Sequence, residues 1–390
     1  MNSMVSSLLG AVTTQPGVKD ALFQVDKLGE QGDHAALVAL AAGLEARHSA
    51  TPSERRWRLH AVSDHLEEVL AQGKDFESAL ALLEVARQPR DARFQGLHSP
   101  TRRAQDLASL LATFRPASTF IELLSHRRGP DDLTELFACG VHEYVLRGSS
   151  LASHPNVRDF WAQVVQRGHP LADLPLARLP WESSLGLDLG VEDLSASVSS
   201  LSSRMASASD DDDDAPTLPN VQVAVRDEPV PPHFAAVIAT RGDDGPPSPC
   251  EQRVLKLRPS LPKAPADSIQ SVLVDLDLEL LKDTDFVTCG RAALEDVVSS
   301  LFGLAVFGAR GWQGALGAAH GRLALWRTLA GLSGFDAALE PKALSARLDA
   351  CLWYRFEASE RMRGAARRLG LVCLRPGGTS MALLAVRDEP

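Results

Sequence analysis

Residues 371–386 read LVCLRPGGTSMALLAV, and this stretch gives the C-terminal half its fold class. Two apolar runs flank a turn formed by Pro376, Gly377 and Gly378. Proline presets φ and glycine tolerates positive φ, so this composition is typical of the turn in a β-hairpin. The stretch therefore predicts two adjacent antiparallel strands near the end of the chain.

Other strand-like runs extend this predicted sheet. Short apolar runs bounded by Pro or Gly lie at residues 221–225, 234–240, 254–257 and 352–356. The longest alternation is VLVDLDLEL, residues 272–280, in which the apolar side chains would share one face of a strand. Helical patterns lie between these runs, near residues 291–304, 312–330 and after Glu340. We therefore expect an α+β domain with a mainly antiparallel sheet over residues 220–390.

The opposite face of the predicted strand 272–280 carries carboxylates. Asp275 and Asp277 would project from the same face, and carboxylate oxygens suit magnesium or calcium. Alternating acids are also what the solvated face of an antiparallel strand carries. No histidine nearby completes a metal site. We therefore expect no cofactor. Asp275 and Asp277 are the candidate metal ligands, and the alternative is that both lie on the solvated face of the strand.

The N-terminal region contains several sequence signals for the starts and ends of helices. Residues 51–54 read TPSE, which predicts a capping box with proline at the first helical position. Asp33 and Asp75 stand where each would cap a helix. Short Gly, Pro or Asp segments separate the helical runs, with no fixed repeat length. Residues 1–183 are therefore predicted to form an α-helical bundle or an irregular α-solenoid.

A linker is expected between these two regions. Residues 184–219 contain the Ser-rich text SASVSSLSSRMASAS and the acidic run at 210–214. Such a segment has too few large apolar residues to offset its loss of conformational entropy, so we expect it to be a disordered, acidic spacer.

Composition excludes several functional classes. The 390 residues carry 40 basic and 50 acidic side chains, an acid excess that argues against a general affinity for nucleic acid or an anionic membrane. No apolar run reaches the length of a membrane span. The 5 cysteines include no CxxC pair, which leaves no signal for a disulfide framework or a zinc site. We expect a cytoplasmic protein.

Glycine is concentrated in residues 308–322, which read GARGWQGALGAAHGR. This segment lacks the Lys-Ser/Thr ending of a phosphate-binding loop and the GxGxxG spacing of a dinucleotide fold. Its charged and aromatic neighbours could still hold a phosphate or carboxylate. These ligand-binding candidates are Arg310, His320, Arg322 and Trp326. The alternative is a helix packing seam at Gly314, Gly317 and Gly321, because small residues let two helices approach closely.

The order of Gly, Arg and Trp in GALGAAHGRLALWRTL, residues 314–329, resembles a bacterial family of domains of unknown function. The terminal GLVCLRPGGT, residues 370–379, carries the same resemblance. It implies a helical N-terminal region joined to this C-terminal motif, and it transfers no activity.

The sequence assembles no catalytic set, so we expect a non-enzymatic protein. The hypothesis is a regulatory protein of the inhibitor, immunity or adaptor type, which binds another protein and occludes it. The competing hypothesis is a sensor or enzyme that binds a nucleotide or another small ligand at residues 308–322. The sequence leaves the oligomeric state open.

Overall fold

The computed structural model describes residues 3–12, 15–89, 100–129, 131–185, 223–239, 250–261, 265–276, 278, 281, 287–307, 317–335, 340–358 and 369–386. Inter-residue contacts group the chain into two compact units, Met1–Ala172 (unit 1) and Asp173–Pro390 (unit 2). The predicted linker, residues 184–219, lies outside the described residues except for its first two positions. The division into 1–183, 184–219 and 220–390 stays a prediction, and the contacts place residues 173–185 with unit 2.

Unit 1 is a succession of helices. They are α1 (Ser3–Ala11), α2 (Gln15–Glu30), α3 (His34–His48), α4 (Arg56–Gln72), α5 (Phe76–Arg87), α6 (Pro100–Phe114), α7 (Ala117–Ser125), α8 (Thr134–Leu146) and α9 (Pro155–Gln166). Helices two places apart pack together, as α2 with α4, α3 with α5 and α6 with α8. This stacking is the arrangement of an α-solenoid, in which each helix contacts mainly its near neighbours.

Two of the predicted helix caps form and one does not. Asp33 accepts a hydrogen bond from the backbone N–H of Ala36 at 3.1 Å, and Asp75 accepts one from Ser78 at 2.6 Å. The capping box at residues 51–54 was a wrong prediction. Thr51 instead donates its hydroxyl to the carbonyl of Arg47 at 2.9 Å, which ends α3. A short 3₁₀ turn, Ser53–Arg55, then precedes α4.

Unit 2 contains an antiparallel sheet of six strands. They are β1 (Ala224–Glu228), β2 (Cys250–Arg258), β3 (Val287–Arg291), β4 (Leu352–Ala358), β5 (Leu369–Leu374) and β6 (Ser380–Val386), in the spatial order β1-β2-β6-β5-β4-β3. The predicted hairpin at residues 371–386 is confirmed, with Leu374 opposite Met381. Gly377 and Gly378 have φ of 83° and 63°, which only glycine adopts without strain. The α+β fold class is therefore confirmed.

Helices cover both faces of this sheet. The helices of unit 2 are α10 (Ala236–Ala239), α11 (Ala266–Asp275), α12 (Leu294–Phe307), α13 (Ala318–Ser333) and α14 (Pro341–Asp349). α11 packs on the face that carries Tyr354, Phe356 and Leu383. α13 packs against β5 and β6. The two strands are consequently buried on both sides, whereas the edge strand β1 is almost wholly exposed.

The strand predicted at residues 272–280 was wrong where the structure describes it, because residues up to Asp275 belong to α11. Residues 277, 279 and 280 lie outside the described residues. Ile269, Val272, Leu273 and Leu276 are buried at helical spacing, and Val274, between them in sequence, is 61% exposed. Over so few residues, the apolar pattern matches the period of a strand and also that of a helix. The segment forms a helix because that conformation buries its apolar side chains against the sheet. Residues 234–240 were likewise predicted as a strand, yet α10 forms within them.

Strand glycines offer a test of the packing. A Cβ on Gly370 of β5 would lie 2.5 Å from the carbonyl oxygen of Phe356, a backbone atom that cannot move aside. A Cβ on Gly290 of β3 would have no atom within 4 Å. We expect Gly370→Ala to lower the free energy of unfolding by about 1–3 kcal/mol, as overpacking does. Urea unfolding of both variants measures this.

Gly290→Ala is the matched control, and its stability should equal or slightly exceed that of the wild type because alanine restricts the unfolded chain. Equal stability of the two variants would show that the close approach at Gly370 relaxes without cost.

Candidate functional site

The candidate site lies on α13, which follows the Gly-rich segment. Gly317 is the N-terminal cap of this helix and provides no side-chain hydrogen bond to it. Arg322 and Trp326 stand four residues apart on the helix, and both are completely buried. Spacing of four places both side chains on one face of an α-helix.

A carboxylate compensates the buried charge of Arg322. Nε of Arg322 donates to Oε1 of Glu182 at 2.7 Å, and Nη2 donates to Oε2 at 2.8 Å. Both side chains have no exposed surface. This is a bidentate pair in which two parallel N–H groups match the two carboxylate oxygens. Such geometry is what makes a charge pair tolerable away from water.

Backbone carbonyls occupy the remaining side of the guanidinium. Nη1 of Arg322 donates to the carbonyl of Pro175 at 2.9 Å, and Nη2 donates to that of Ala177 at 2.9 Å. The guanidinium therefore holds the segment of residues 173–185 at three points, two carbonyls and one carboxylate. A ligand could reach Arg322 only by displacing these groups.

Glu182 is equally well satisfied. Its Oε1 also accepts the indole N–H of Trp326 at 2.8 Å, and its Oε2 accepts the backbone N–H of Leu179 at 2.8 Å. Glu182 lies in a 3₁₀ turn, Pro180–Leu185, which packs against α12. The carboxylate thus joins the turn to α13 through a charged and a neutral donor.

Aromatic rings enclose this network. The rings of Trp181 and Trp326 lie 5.2 Å apart at 47°. Trp181 donates its indole N–H to the hydroxyl of Ser345 on α14 at 3.1 Å. We call Trp181, Glu182, Arg322 and Trp326 the buried clamp. Its polar atoms bond to one another, to backbone or to the hydroxyl of Ser345, which is the pattern of a structural core rather than of a reactive centre.

The four ligand-binding candidates have different positions. Arg322 and Trp326 are brought together in the buried clamp, whereas Arg310 lies outside the described residues. His320 is half-buried in the first turn of α13, two residues before Arg322. Residues two apart do not face each other on a helix, so His320 and Arg322 point in different directions.

Among the residues that it describes, the structure does not contain the strand on which Asp275 and Asp277 were predicted to form a metal site. Asp275 is the last residue of α11 and is exposed, and Asp277 lies outside the described residues. The predicted convergence required alternate residues of a strand, and α11 is a helix. A shared metal-binding face for Asp275 and Asp277 therefore no longer follows from the fold.

Of the three glycines predicted to form a helix packing seam, Gly321 lies where two helices approach closely. A Cβ on Gly321 would lie 2.7 Å from Cγ2 of Val306 on α12, so glycine allows α12 and α13 to approach closely. Gly317 serves as the helix cap, and Gly314 lies outside the described residues.

Sequence reasoning missed Trp181 and Glu182. The signal was present in Pro180-Trp181-Glu182, where a large aromatic residue and an acid stand just before the composition becomes Ser-rich. A tryptophan at such a border is more consistent with a buried anchor than with a spacer.

A second candidate site is a groove in unit 1 between α3 and α5, with a volume of about 470 Å³. Its lining consists of His34, Ala35, Val38, Ala39, Ala42, Glu77, Leu80, Ala81, Glu84 and Gln88. Most of these side chains are small or apolar, and Ala35, Ala42 and Glu77 are exposed. The groove is therefore open to solvent, and four of its ten lining residues are alanines.

Charges mark the rim of this groove, which we call the α3–α5 groove. Glu84 pairs with Arg87 at 2.8 Å and also contacts Arg128, so neighbouring guanidinium groups offset its charge. Glu77 is exposed and adds a carboxylate beside the apolar floor. The α3–α5 groove consequently suits an apolar group with a positive neighbour.

The buried clamp generates a stability prediction. Glu182→Gln keeps the shape of the side chain but removes its charge, which leaves Arg322 buried without a counter-ion. Breaking a buried pair in this way costs about 3–5 kcal/mol. We expect that loss in the free energy of unfolding, measured by urea titration.

Asp173→Asn is the matched control, because Asp173 makes a 3.4 Å pair with Arg327 in which the two side chains are 54% and 30% exposed. Exposed pairs contribute about 0–1 kcal/mol, so this variant should stay close to the wild type. Equal effects of the two variants would mean that the clamp does not hold unit 2 together.

Within the described residues, no helix combines the length and the apolar character needed to cross a bilayer. No curated protein and no solved structure matches the chain. A match does exist to the family of unknown function DUF6183, and it extends over residues 19–390. The expected resemblance to a family of unknown function is confirmed by this match. The chain belongs to the family of unknown function DUF6183.

Proposed function

We propose that this protein is a non-enzymatic regulatory protein that binds another protein and occludes it, in the manner of an inhibitor, immunity protein or adaptor. The observation that carries the proposal is the α3–α5 groove, an open apolar surface on a helical stack. Solenoid surfaces of this type are used mainly for recognition. The proposal also places the protein in the cytoplasm, in keeping with the five free cysteines.

The buried clamp supports the proposal from the other unit. Arg322 was a leading candidate for binding a phosphate or carboxylate, and its guanidinium is already bonded to Glu182, Pro175 and Ala177. A preformed anion site would instead leave donors directed at an open cavity. The role of Arg322 in holding the fold weakens the hypothesis of a sensor built on this residue.

The lining of the α3–α5 groove indicates the chemistry of the partner. Alanine side chains leave room above the helix backbones, so bulky apolar side chains of a partner can enter between α3 and α5. Leu80 and Val38 are partly buried and add apolar contact area. Glu77 favours a lysine or arginine beside those apolar residues. An amphipathic helix with a basic flank meets these requirements, which is the helix-in-groove mode of recognition.

Binding would act by occlusion. A partner helix bound along α3 and α5 would be covered on its apolar face and could not make its other contacts. Such a mechanism needs no catalytic group.

A single substitution tests this proposal. Ala42 is an exposed lining residue of the groove, and Ala42→Arg would both fill the groove and repel a basic partner. Arginine is a good helix former, so α3 should persist. In cross-linking and affinity purification from the source organism, we expect a protein partner with the wild type and at least about a tenfold loss of its affinity with Ala42→Arg, equivalent to about 1.4 kcal/mol.

The matched control is Ala346→Arg, because Ala346 is an exposed helical alanine of α14 in unit 2. This variant should retain the partner, and the cross-links should map to α3 and α5. Recovery of no specific protein by the wild type would overturn the proposed function. Equal retention of a partner by both variants would show that the partner binds outside the α3–α5 groove.

A further inference from the structure

Two cysteines of unit 2 lie close together at the start of β4. Cys373 is on β5 opposite Trp353 of β4, and Cys351 lies in the bend just before β4, two residues before Trp353. This position brings Cys351 diagonally beside Cys373 on the side of the sheet that carries α13. The Cys373 thiol is within hydrogen-bonding reach of Cys351.

The charges of two arginines, Arg347 and Arg375, act on this thiol pair. Arg347 donates from Nε to the carbonyl of Ser333 at 2.8 Å, and Arg375 donates from Nε to the carbonyl of Leu332 at 3.1 Å. Nη2 of Arg375 also donates to the carbonyl of Gly331 at 3.0 Å. Both guanidinium groups are thereby fixed at the C-terminal end of α13.

The environment of the pair distinguishes its two members. The hydrogen bond from Cys373, together with the charges of Arg347 and Arg375, lowers the pKa of Cys351 despite its burial. Burial and the neighbouring Cys351 raise the pKa of Cys373 well above its usual value. Of the two thiols, Cys351 therefore loses its proton more readily than Cys373.

Other cysteines lack this arrangement. Burial raises the pKa of Cys139 well above its ordinary value, and burial raises that of Cys289 to about 12. The charges of Arg347 and Arg375, by contrast, lower the pKa of Cys351. Reactive cysteines are those with an electropositive environment, so Cys351 is singled out among these three.

Of the two cysteines, only Cys351 has any exposed surface through which a small oxidant could reach it. Cys351 is 5% exposed and follows Ala350, an exposed residue that ends α14. Cys373 has no exposed surface. An oxidant as small as a peroxide would therefore reach Cys351 first, and Cys373 would react only with the oxidised Cys351.

We propose that Cys351 and Cys373 form a peroxide-oxidised thiol pair, with Cys351 as the attacking residue and Cys373 as the resolving residue. In the first step the Cys351 thiolate attacks one oxygen of hydrogen peroxide. The S–O bond forms, the O–O bond breaks, and the departing hydroxide takes a proton to become water. Cys351 is oxidised by two electrons to a sulfenic acid, and the peroxide is reduced.

In the second step Cys373 loses its proton and its sulfur attacks the sulfur of Cys351. The S–S bond forms, the S–O bond breaks, and hydroxide leaves and is protonated to a second water. The sum is two thiols and one peroxide giving one disulfide and two waters. The bond would tie the start of β4 to β5, next to the arginines that hold the end of α13.

The test uses the reduced full-length chain and hydrogen peroxide. After oxidation the protein is unfolded, its remaining thiols are alkylated, and the peptides are examined by mass spectrometry. We expect a peptide pair joined between Cys351 and Cys373, two hydrogens lighter than the reduced pair, in a species that runs as a monomer on a non-reducing gel. Full alkylation of both residues after peroxide treatment would overturn the proposal.

Variants separate the two roles. Cys373→Ser should stop the reaction at the sulfenic acid of Cys351, which dimedone traps, whereas Cys351→Ser should leave Cys373 as a thiol. Cys289→Ser is the control and should form the disulfide at the wild-type rate. If Cys351→Ser instead left Cys373 as the oxidised residue, the assignment of the two roles would be reversed and the proposal wrong.

Substitution of Arg347 tests the effect of the nearby positive charge on the rate of disulfide formation. Arg347→Gln should slow disulfide formation because it removes one positive charge beside the thiolate, and Arg347→Lys should restore much of the rate. Equal rates in wild type and Arg347→Gln would contradict a role for this charge. Circular dichroism melting of each variant verifies that the fold is retained, and the wild-type disulfide test does not depend on any variant.

Discussion

The buried pair of Glu182 and Arg322 is the interaction on which unit 2 depends most. Neither charge has access to water, so each is tolerable only while the other is in place and the surrounding hydrogen bonds are made. The pair ties a short turn at the start of the unit to α13, which itself lies against the central strands β5 and β6. A polar contact thereby specifies the position of a segment that hydrophobic burial alone would leave free to slide. The indole of Trp326 makes the contact directional, because it donates to only one oxygen of Glu182.

The two units rely on different physical devices. Unit 1 grows by stacking helices, and its local caps at Asp33 and Asp75 define where individual helices begin. Unit 2 depends on contacts between residues far apart in sequence, since the partner of Arg322 lies 140 residues away. Both members of the thiol pair belong to this second kind of structure, where strand pairing brings Cys351 next to Cys373. The proposed recognition on the helical surface of unit 1 and the proposed thiol chemistry of unit 2 therefore depend on different parts of the chain.

Sequence reasoning succeeded where a structural feature is encoded locally. The hairpin turn at Pro376, Gly377 and Gly378 and the helix caps at Asp33 and Asp75 need only a few adjacent residues, and both were predictable. The strand prediction for residues 272–280 failed because its alternating pattern also satisfies a helical stripe, and only the sheet beneath decides between them. The role of Arg322 could not be predicted, because no spacing in the sequence connects it to Glu182. The ligand hypothesis included Arg322 but had no means of finding the groups to which its guanidinium is bonded.

The outermost strand, β1, shows how the sheet ends. Its sequence is AVRDE, and Arg253 of β2 holds Asp227 by hydrogen bonds of 2.9 and 2.7 Å. An edge strand offers unpaired backbone groups to any other strand that meets it, but a short edge crowded with charge must lose hydration before it can pair. The arrangement disfavours association of folded molecules through this edge. The charged side chains of β1 are thus a solubility device, and their replacement by apolar residues would create a template for fibre growth.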